Sequence, residues 1–175
     1  MKNKNNETKQ ILPGLEIIKT VLIGIIISVV ILCFFRFSIV NGQSMEPSLY
    51  NNEKLLLSKT AYTFSNPKRG DIVVAKPANL NVDYIIKRVI GIPGDTIEIK
   101  DNVIYVNDTA LEEEYIKENM LTADITKFTL ASDEYFLCGD NRNNSLDSRS
   151  EILGPITEDE IFGKIIINFS RMKVY

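Results

Sequence analysis

A β-strand is predicted by the stretch Tyr84-Ile85-Ile86-Lys87-Arg88-Val89-Ile90, in which β-branched residues flank two adjacent basic ones. Side chains of a strand alternate between its faces, so Lys87 shares a face with Ile85 and Val89 but not with the arginine beside it. A lysine between two β-branched neighbours is a candidate for burial, and burial lowers the pKa of an ammonium group. The stretch therefore predicts a sheet that carries an unusual lysine.

The residues on both sides of this stretch predict further short strands, rich in valine, isoleucine, tyrosine and phenylalanine and separated by turn-forming residues. Lys100-Asp101-Asn102, between two alternating runs, predicts a hairpin. Helix is favoured only in the 112–119 region and in a turn that Thr157 opens, where Glu160 follows at capping-box spacing. We therefore expect a mostly β fold, a compact barrel or folded sheet. The predicted strands are Lys54–Ser58, Asp71–Ala75, Val82–Ile90, Thr96–Ile99, Val103–Val106, Phe128–Leu130, Glu134–Cys138 and Phe162–Phe169.

One tract differs from the strands, because the sixteen residues from Thr20 to Phe35 carry no charge. This is slightly short of the roughly 20 residues that span a bilayer core, but Lys19 and Arg36 can extend their charges to the headgroups. We predict one transmembrane helix over residues 17–37. A cleaved signal peptide would need a small-x-small cleavage site after the tract, and none follows. A buried core helix would have a polar face, whereas this tract is apolar on all sides.

The charges around the tract predict its orientation. Four lysines and two glutamates precede it, and Arg36 directly follows it. The positive-inside rule places a tail of residues 1–16 in the cytoplasm and residues 38–175 outside, in a protein that crosses the plasma membrane bilayer once. Residues 38–175 contain 15 basic and 21 acidic residues. This balance argues against a nucleic-acid partner.

The 175-residue chain contains no histidine. This excludes Ser/His/Asp and Cys/His hydrolases and most zinc sites, so acid–base chemistry near neutral pH requires another group with a shifted pKa. Of the two cysteines, Cys33 lies in the apolar tract and Cys138 in a predicted strand. We interpret Cys138 as a core residue, because no imidazole is available to activate it. We expect neither a metal nor a cofactor.

A short loop follows the predicted helix, with the sequence Gly42-Gln43-Ser44-Met45-Glu46-Pro47-Ser48. Gly42 permits a positive φ and Pro47 fixes its own φ, so the loop can present a side chain rigidly. The seven residues that follow Phe37, up to Ser44, span at most roughly 25 Å, which keeps Ser44 near the bilayer surface. By itself, such a loop is more typical of a structured linker than of a catalytic site.

Two lysines are candidates for a general base. Lys87 lies on an apolar strand face, and Lys164 stands between Phe162 and Ile166 in another predicted strand. Either one could instead be a lysine at a sheet edge that extends its ammonium group into solvent. The residue pattern alone leaves the choice open.

A dense polar loop follows Cys138, with the sequence Gly139-Asp140-Asn141-Arg142-Asn143-Asn144-Ser145-Leu146-Asp147-Ser148-Arg149. Its hydroxyl groups and ion pairs could orient a catalytic group. Calcium binding is disfavoured, because two arginines would repel the cation and no bidentate glutamate stands at the required offset.

Four segments together resemble the conserved boxes of bacterial type I signal peptidase, a peptidase family with a Ser/Lys dyad. They occur in the order of that family, after an N-terminal anchor. The single anchor, the small external domain and the lysine-rich N-terminus are most similar to its Gram-positive branch. The four segments are 44–49 (SMEPSL), 69–74 (RGDIVV), 87–95 (KRVIGIPGD) and 139–149 (GDNRNNSLDSR).

This resemblance implies a function and a set of site residues. The function is removal of signal peptides from exported preproteins by a monomeric enzyme without a cofactor, with cleavage after small residues in an Ala-x-Ala-like pattern. Ser44 matches the nucleophile, and its backbone N–H matches an oxyanion donor. Lys87 matches the general base. Ser145 matches a residue that donates a hydrogen bond to the lysine amine and orients it, and Asp147 and Arg149 match a supporting ion pair.

The sequence departs from the family pattern at two positions. Ser48 stands where threonine is usual, and Gly42 stands where some relatives have a serine as second oxyanion donor. Two alternatives stay open, namely a dedicated maturase for a single secreted peptide or pilin, and a catalytically inactive relative that binds signal sequences. A soluble self-cleaving repressor is disfavoured by the anchor.

Overall fold

The computed structural model describes residues 13–80, 84–121 and 124–175. The chain divides into two compact units, one up to Phe34 and one from Phe35 to Tyr175. The elements are α1 (Pro13–Phe34), β1 (Phe35–Ile39), β2 (Lys54–Ser58), β3 (Ile72–Ala75), β4 (Ile85–Gly91), β5 (Thr96–Lys100), β6 (Val103–Val106), β7 (Thr109–Ala110), β8 (Ile125–Thr129), β9 (Glu134–Cys138), β10 (Ile156–Thr157), β11 (Ile161–Asn168), β12 (Lys173–Val174) and two 3-10 turns (Arg142–Asn144 and Glu158–Glu160).

Helix α1 is the apolar tract of the sequence. Residues 14–34 are long and apolar enough to cross a membrane, by length and composition. The helix differs from the predicted span of 17–37 at both ends, because it begins at Pro13 and ends at Phe34. Proline suits the first position of a helix, where its missing N–H costs no hydrogen bond. Residues 35–37 belong to β1, where they pair with residues 56–58 of β2. An unbroken apolar run does not show where a helix ends and a strand begins.

The unit from Phe35 onward is built of antiparallel strands, as the predicted mostly β fold requires. The first sheet has the order β1-β2-β11-β3-β4-β9-β10, with β12 paired to β11, and the second has the order β7-β6-β5-β8. Strands β2, β6 and β9 have the predicted bounds. The predicted hairpin is confirmed, since Asp101 and Asn102 both have positive φ between β5 and β6, as a type I′ turn requires.

Three buried clusters of apolar side chains form the core of this unit, and strand β4 contributes to all of them. Ile85 and Val89 pack in one cluster, Ile86 in a second and Ile90 in a third. The predicted pairing of Ile85 and Val89 on one face is therefore confirmed, whereas Ile86 and Ile90, predicted to share the other face, pack in different clusters. Strand β4 lies between β3 and β9, with Lys87 opposite Val73 of β3.

The two predicted helical stretches have different outcomes. Thr157 opens a 3-10 turn, and its backbone N–H donates to Oε2 of Glu160 in the predicted capping box. The helix predicted over residues 112–119 is wrong, because these residues form turns and irregular backbone. Tertiary contacts outweigh helix propensity there: Glu113 pairs with Arg142, and the backbone N–H of Lys117 donates to the carbonyl of Asp140.

Candidate active site

The side chains of Ser44 and Lys87 lie in contact. Nζ of Lys87 is 2.7 Å from Oγ of Ser44, a hydrogen-bond distance, although 43 residues separate the two in sequence. Ser44 lies in the turn after β1, Lys87 lies on β4, and both line a cavity of about 470 Å³. A hydroxyl next to an amine in this geometry can be activated as a nucleophile.

Lys87 is buried, with 4% of its surface exposed. Burial has the largest effect on the pKa of its ammonium group and lowers it from 10.5, while the negative charge of Asp147 opposes this shift. The positive charge of Arg149 lowers the pKa of Lys87 further. A lowered pKa increases the fraction of neutral amine, and only the neutral amine can accept a proton from serine.

Lys164, the other lysine that the sequence left open, has a different partner. Its Nζ donates to Oδ1 of Asp71 at 2.7 Å, and Oδ2 of that carboxylate accepts from Tyr62. Lys164 is thus held as half of an ion pair, whereas Lys87 contacts the Ser44 hydroxyl.

The backbone around Ser44 forms a compact turn. The N–H of Glu46 donates to the carbonyl of Gln43 at 3.2 Å, and the N–H of Leu49 donates to the carbonyl of Met45 at 2.8 Å. Among the described residues, no acceptor contacts the N–H of Ser44. This N–H is therefore available to a ligand, as an oxyanion donor must be.

Gly42, which stands where some members of the family that the chain resembles have a serine as second oxyanion donor, does not supply one. It has a φ of 102°, which favours glycine, and its N–H donates to Oδ1 of Asn51 at 2.9 Å. With its N–H engaged and no hydroxyl present, this position offers no donor to the cavity.

The predicted ion pair between Asp147 and Arg149 is present and buried. Nε of Arg149 donates to Oδ1 of Asp147 at 2.7 Å, and a second guanidinium nitrogen donates to Oδ2 at 2.8 Å. Burial tends to raise the pKa of Asp147, but the hydrogen bonds from Arg149 and from the N–H of Gly139 outweigh it and lower the pKa. The carboxylate of Asp147 therefore stays charged, and its negative charge acts to raise the pKa of Lys87.

Ser145 does not make the hydrogen bond to Lys87 that the family resemblance implies. Its Oγ is buried and has no hydrogen-bond partner among the described residues. The hydroxyl is close enough to Asp147 to help lower the pKa of that carboxyl, although its geometry is not that of a hydrogen bond. Its role in orienting the lysine therefore stays a prediction.

Gly139 lies where the polar loop meets the turn of residues 43–49, which we name the nucleophile turn because the family resemblance predicts that Ser44 is the nucleophile. A Cβ at this position would lie 2.4 Å from the carbonyl oxygen of Ser44 and 2.3 Å from Oγ of Ser145. The next segment also holds the turn, because the N–H of Asn141 donates to the carbonyl of Ser44 and its Nδ2 to that of Gln43. The absence of a side chain at residue 139 allows this close approach.

Sequence reasoning assigned no role to the arginine beside Lys87. Arg88 donates to both carboxylate oxygens of Asp140, at 2.8 and 2.7 Å, and to Oγ of Ser48 at 3.1 Å. Its guanidinium also lies over the ring of Tyr115. Arg88 thus ties the strand of Lys87 to the nucleophile turn and to the polar loop. The only sequence signal was its position next to Lys87 on the opposite strand face.

Replacing Asp147 with asparagine is expected to lower the free energy of unfolding by about 3 kcal/mol, because it leaves the buried guanidinium of Arg149 without a counter-charge. Urea unfolding of the detergent-solubilised chain measures this change. Asp108→Asn is the control, since Asp108 forms an exposed ion pair with Lys127 and such pairs contribute little. Equal effects of the two substitutions would contradict a structural role for the buried pair.

Comparison with known proteins places this geometry in a family. The family model for signal peptidase, peptidase S26, matches residues 14–170. Signal peptidase I P of Bacillus subtilis subsp. natto is 41% identical over 156 residues, which cover 83% of this chain and 83% of the relative. Signal peptidase I T of Bacillus subtilis (strain 168) is 37% identical over an alignment of 188 positions, which covers 98% of this chain and 96% of the relative. These matches confirm the resemblance found in the sequence, and the chain belongs to the signal peptidase family, peptidase S26, as a serine peptidase.

Proposed function

We propose that this protein is a membrane-anchored endopeptidase that removes signal peptides from exported preproteins, with Ser44 as nucleophile and Lys87 as general base. The observation that carries the proposal is the 2.7 Å contact between the serine oxygen and the nitrogen of a buried lysine. A chain without histidine needs such a base, and burial supplies one by lowering the pKa of lysine.

The proposed mechanism has two steps. The neutral amine of Lys87 takes the proton of Ser44 while Oγ attacks the scissile carbonyl, and the backbone N–H of Ser44 donates to the oxyanion that forms. The Lys87 ammonium then gives its proton to the leaving amine. Lys87 then deprotonates a water molecule, the resulting hydroxide attacks the ester carbonyl of the acyl-enzyme, and the Lys87 ammonium returns its proton to Oγ of Ser44 as the ester bond breaks.

The cavity suits an extended peptide. Among the residues that the structure describes, β1 pairs only with β2, and β9 pairs with β4 only from Arg88 onward, so β1 and residues 85–87 each have an edge without a partner strand. An extended chain can add as a strand at such edges. Ile39, Leu57 and Ile86 are among the apolar side chains that line the cavity. We propose that small side chains before the scissile bond occupy this lining, which would explain a preference for cleavage after alanine.

The proposed topology follows from α1 and the flanking charges. The helix crosses the plasma membrane once, with the N-terminus in the cytoplasm and residues 38–175 outside. A preprotein held in the same bilayer by its signal sequence reaches the enzyme at a raised effective concentration, so a monomer suffices.

The test is incubation of the detergent-solubilised protein with a preprotein whose signal peptide ends in Ala-x-Ala, followed by mass spectrometry of the new N-terminus. We expect one cut directly after the second alanine, and none with Ser44→Ala. No cut in any of a panel of preproteins would contradict the proposal and favour an inactive relative. A cut in a single member of the panel would indicate a dedicated maturase.

A further inference from the structure

We propose that the segment after β11, residues 169–175, positions the nucleophile, with Arg171 and Tyr175 as positioning residues. We name this segment the clasp. The inference rests on the proposed function, because it concerns how the serine of that site is held against its lysine.

The clasp donates hydrogen bonds to the backbone of the nucleophile turn. The phenol of Tyr175 donates to the carbonyl of Ser48 at 2.9 Å, and the guanidinium of Arg171 donates to the carbonyl of Pro47 at 3.2 Å. Both acceptors are main-chain oxygens three and four residues after Ser44. The clasp therefore fixes the path of the backbone there.

Arg171 is itself held in place. Its Nε donates to Oε1 of Glu53 at 2.5 Å, and its guanidinium lies 4.3 Å from the ring centre of Tyr50. The other oxygen of Glu53 accepts from Nδ2 of Asn168 at 2.7 Å and from the N–H of Tyr50 at 3.0 Å. Glu53 is buried and its carboxylate is fully used. The clasp is thus anchored to the strand that it follows.

Movement at residues 47 and 48 is transmitted to Ser44 because the turn between them is stiff. Met45 and Leu49 are buried, and the N–H of Leu49 donates a hydrogen bond to the carbonyl of Met45. The ring of Tyr175 packs against the apolar cluster that contains both side chains. On its other side the turn is held by Asn141, through the carbonyl of Ser44. Without the clasp, the support at the carbonyls of Pro47 and Ser48 is lost, while those from Asn141 and Arg88 remain.

The contact that catalysis needs is short and directional. A small displacement of Oγ from Nζ lowers the rate steeply, and an error of 1 Å can cost about 100-fold. The loss of a single hydrogen bond at the turn should displace the serine partially. We therefore expect an effect of about three- to tenfold, the range of one net hydrogen bond.

The experiment compares Tyr175→Phe and Arg171→Gln with the unchanged protein. Tyr175→Phe removes the donor and keeps the packed ring, so it decides the question even if Arg171→Gln folds poorly. Val174→Ala is the matched control, because Val174 lies in the clasp with an exposed side chain. Two rates are measured for each: preprotein cleavage per titrated Ser44, and acylation of Ser44 by a serine-directed acylating reagent.

We expect kcat per titrated site and the acylation rate to fall about three- to tenfold in both variants, with KM within about twofold and the control unchanged. Fewer titrated sites with an unchanged kcat per site would show a purely structural role and overturn the inference. So would a rise in KM alone, or an equal loss in Val174→Ala. If the unchanged protein acylates at Ser44 but cleaves no preprotein, the proposed function fails while the acylation rates still test the clasp.

Discussion

Replacing Lys87 with methionine is expected to lower kcat for preprotein cleavage by about 100- to 10,000-fold, the usual contribution of a general base. Methionine nearly fills the volume of the lysine but accepts no proton. Lys87 contacts Oγ of Ser44, and the chain has no imidazole to replace it. A quenched-time-course assay of cleavage by the purified variant measures the effect.

Two further results separate loss of the base from loss of the fold. The pKa of Lys87 is lowered in the folded protein, so burial of its charged form costs stability below that pKa. Lys87→Met should therefore unfold at a urea concentration no lower than the unchanged protein at pH 7. Lys164→Ala is the matched control, because Lys164 is also a strand lysine, but its ammonium group is paired with Asp71, whereas that of Lys87 contacts Ser44. Cleavage by Lys87→Met at the wild-type rate would refute the dyad.

Replacing Gly139 with alanine is expected to lower kcat by about 100-fold. The new methyl group would lie 2.4 Å from the carbonyl oxygen of Ser44. This distance is too short, so the backbone must move to relieve the clash. Since the carbonyl belongs to Ser44, the proposed nucleophile, this shift displaces Oγ from Lys87, and an error of about 1 Å costs on this order. Steady-state kinetics of the folded variant measure the loss.

Gly163→Ala is the control for Gly139→Ala because it creates an equally severe clash at another position. Its Cβ would lie 2.3 Å from the carbonyl oxygen of Ser58, between β11 and β2. We expect both variants to lose stability, but only Gly139→Ala to lose kcat per folded molecule. A comparable loss of kcat in both would mean that overpacking in general, rather than displacement of Ser44, causes the effect.

The sequence predicts well those features that neighbouring residues determine. The alternation along β4 indicates correctly that Ile85 and Val89 pack together, and Asp101-Asn102 predicts the turn of the hairpin. It predicts poorly what distant residues determine. Residues 35–37 continue an apolar run, but they form a strand because they pair with β2. The region around Glu113 has a helical sequence pattern, but it is not a helix because Glu113 pairs with Arg142.

The same division applies to the site. The residue pattern alone does not show whether Lys87 or Lys164 is the general base, since this depends on which ammonium group contacts Ser44 and which pairs with Asp71. The family resemblance favours Lys87 as the general base, and the contact between Lys87 and Ser44 supports this prediction. The pairing of Arg88 with Asp140, across 52 residues, and the contacts of Arg171 with the nucleophile turn had no local signal.

The most direct test of the dyad is the pH dependence of Ser44 acylation by a serine-directed reagent, with the labelled residue identified by peptide mapping. In the proposed mechanism the neutral amine of Lys87 is the active form, and its pKa is lowered from 10.5, so the rate should rise with pH and reach half its maximum below that value. The rise should be absent in Lys87→Met. A rate that shows no rise with pH anywhere below pH 10.5, or a label on a residue other than Ser44, would contradict a lysine-activated serine.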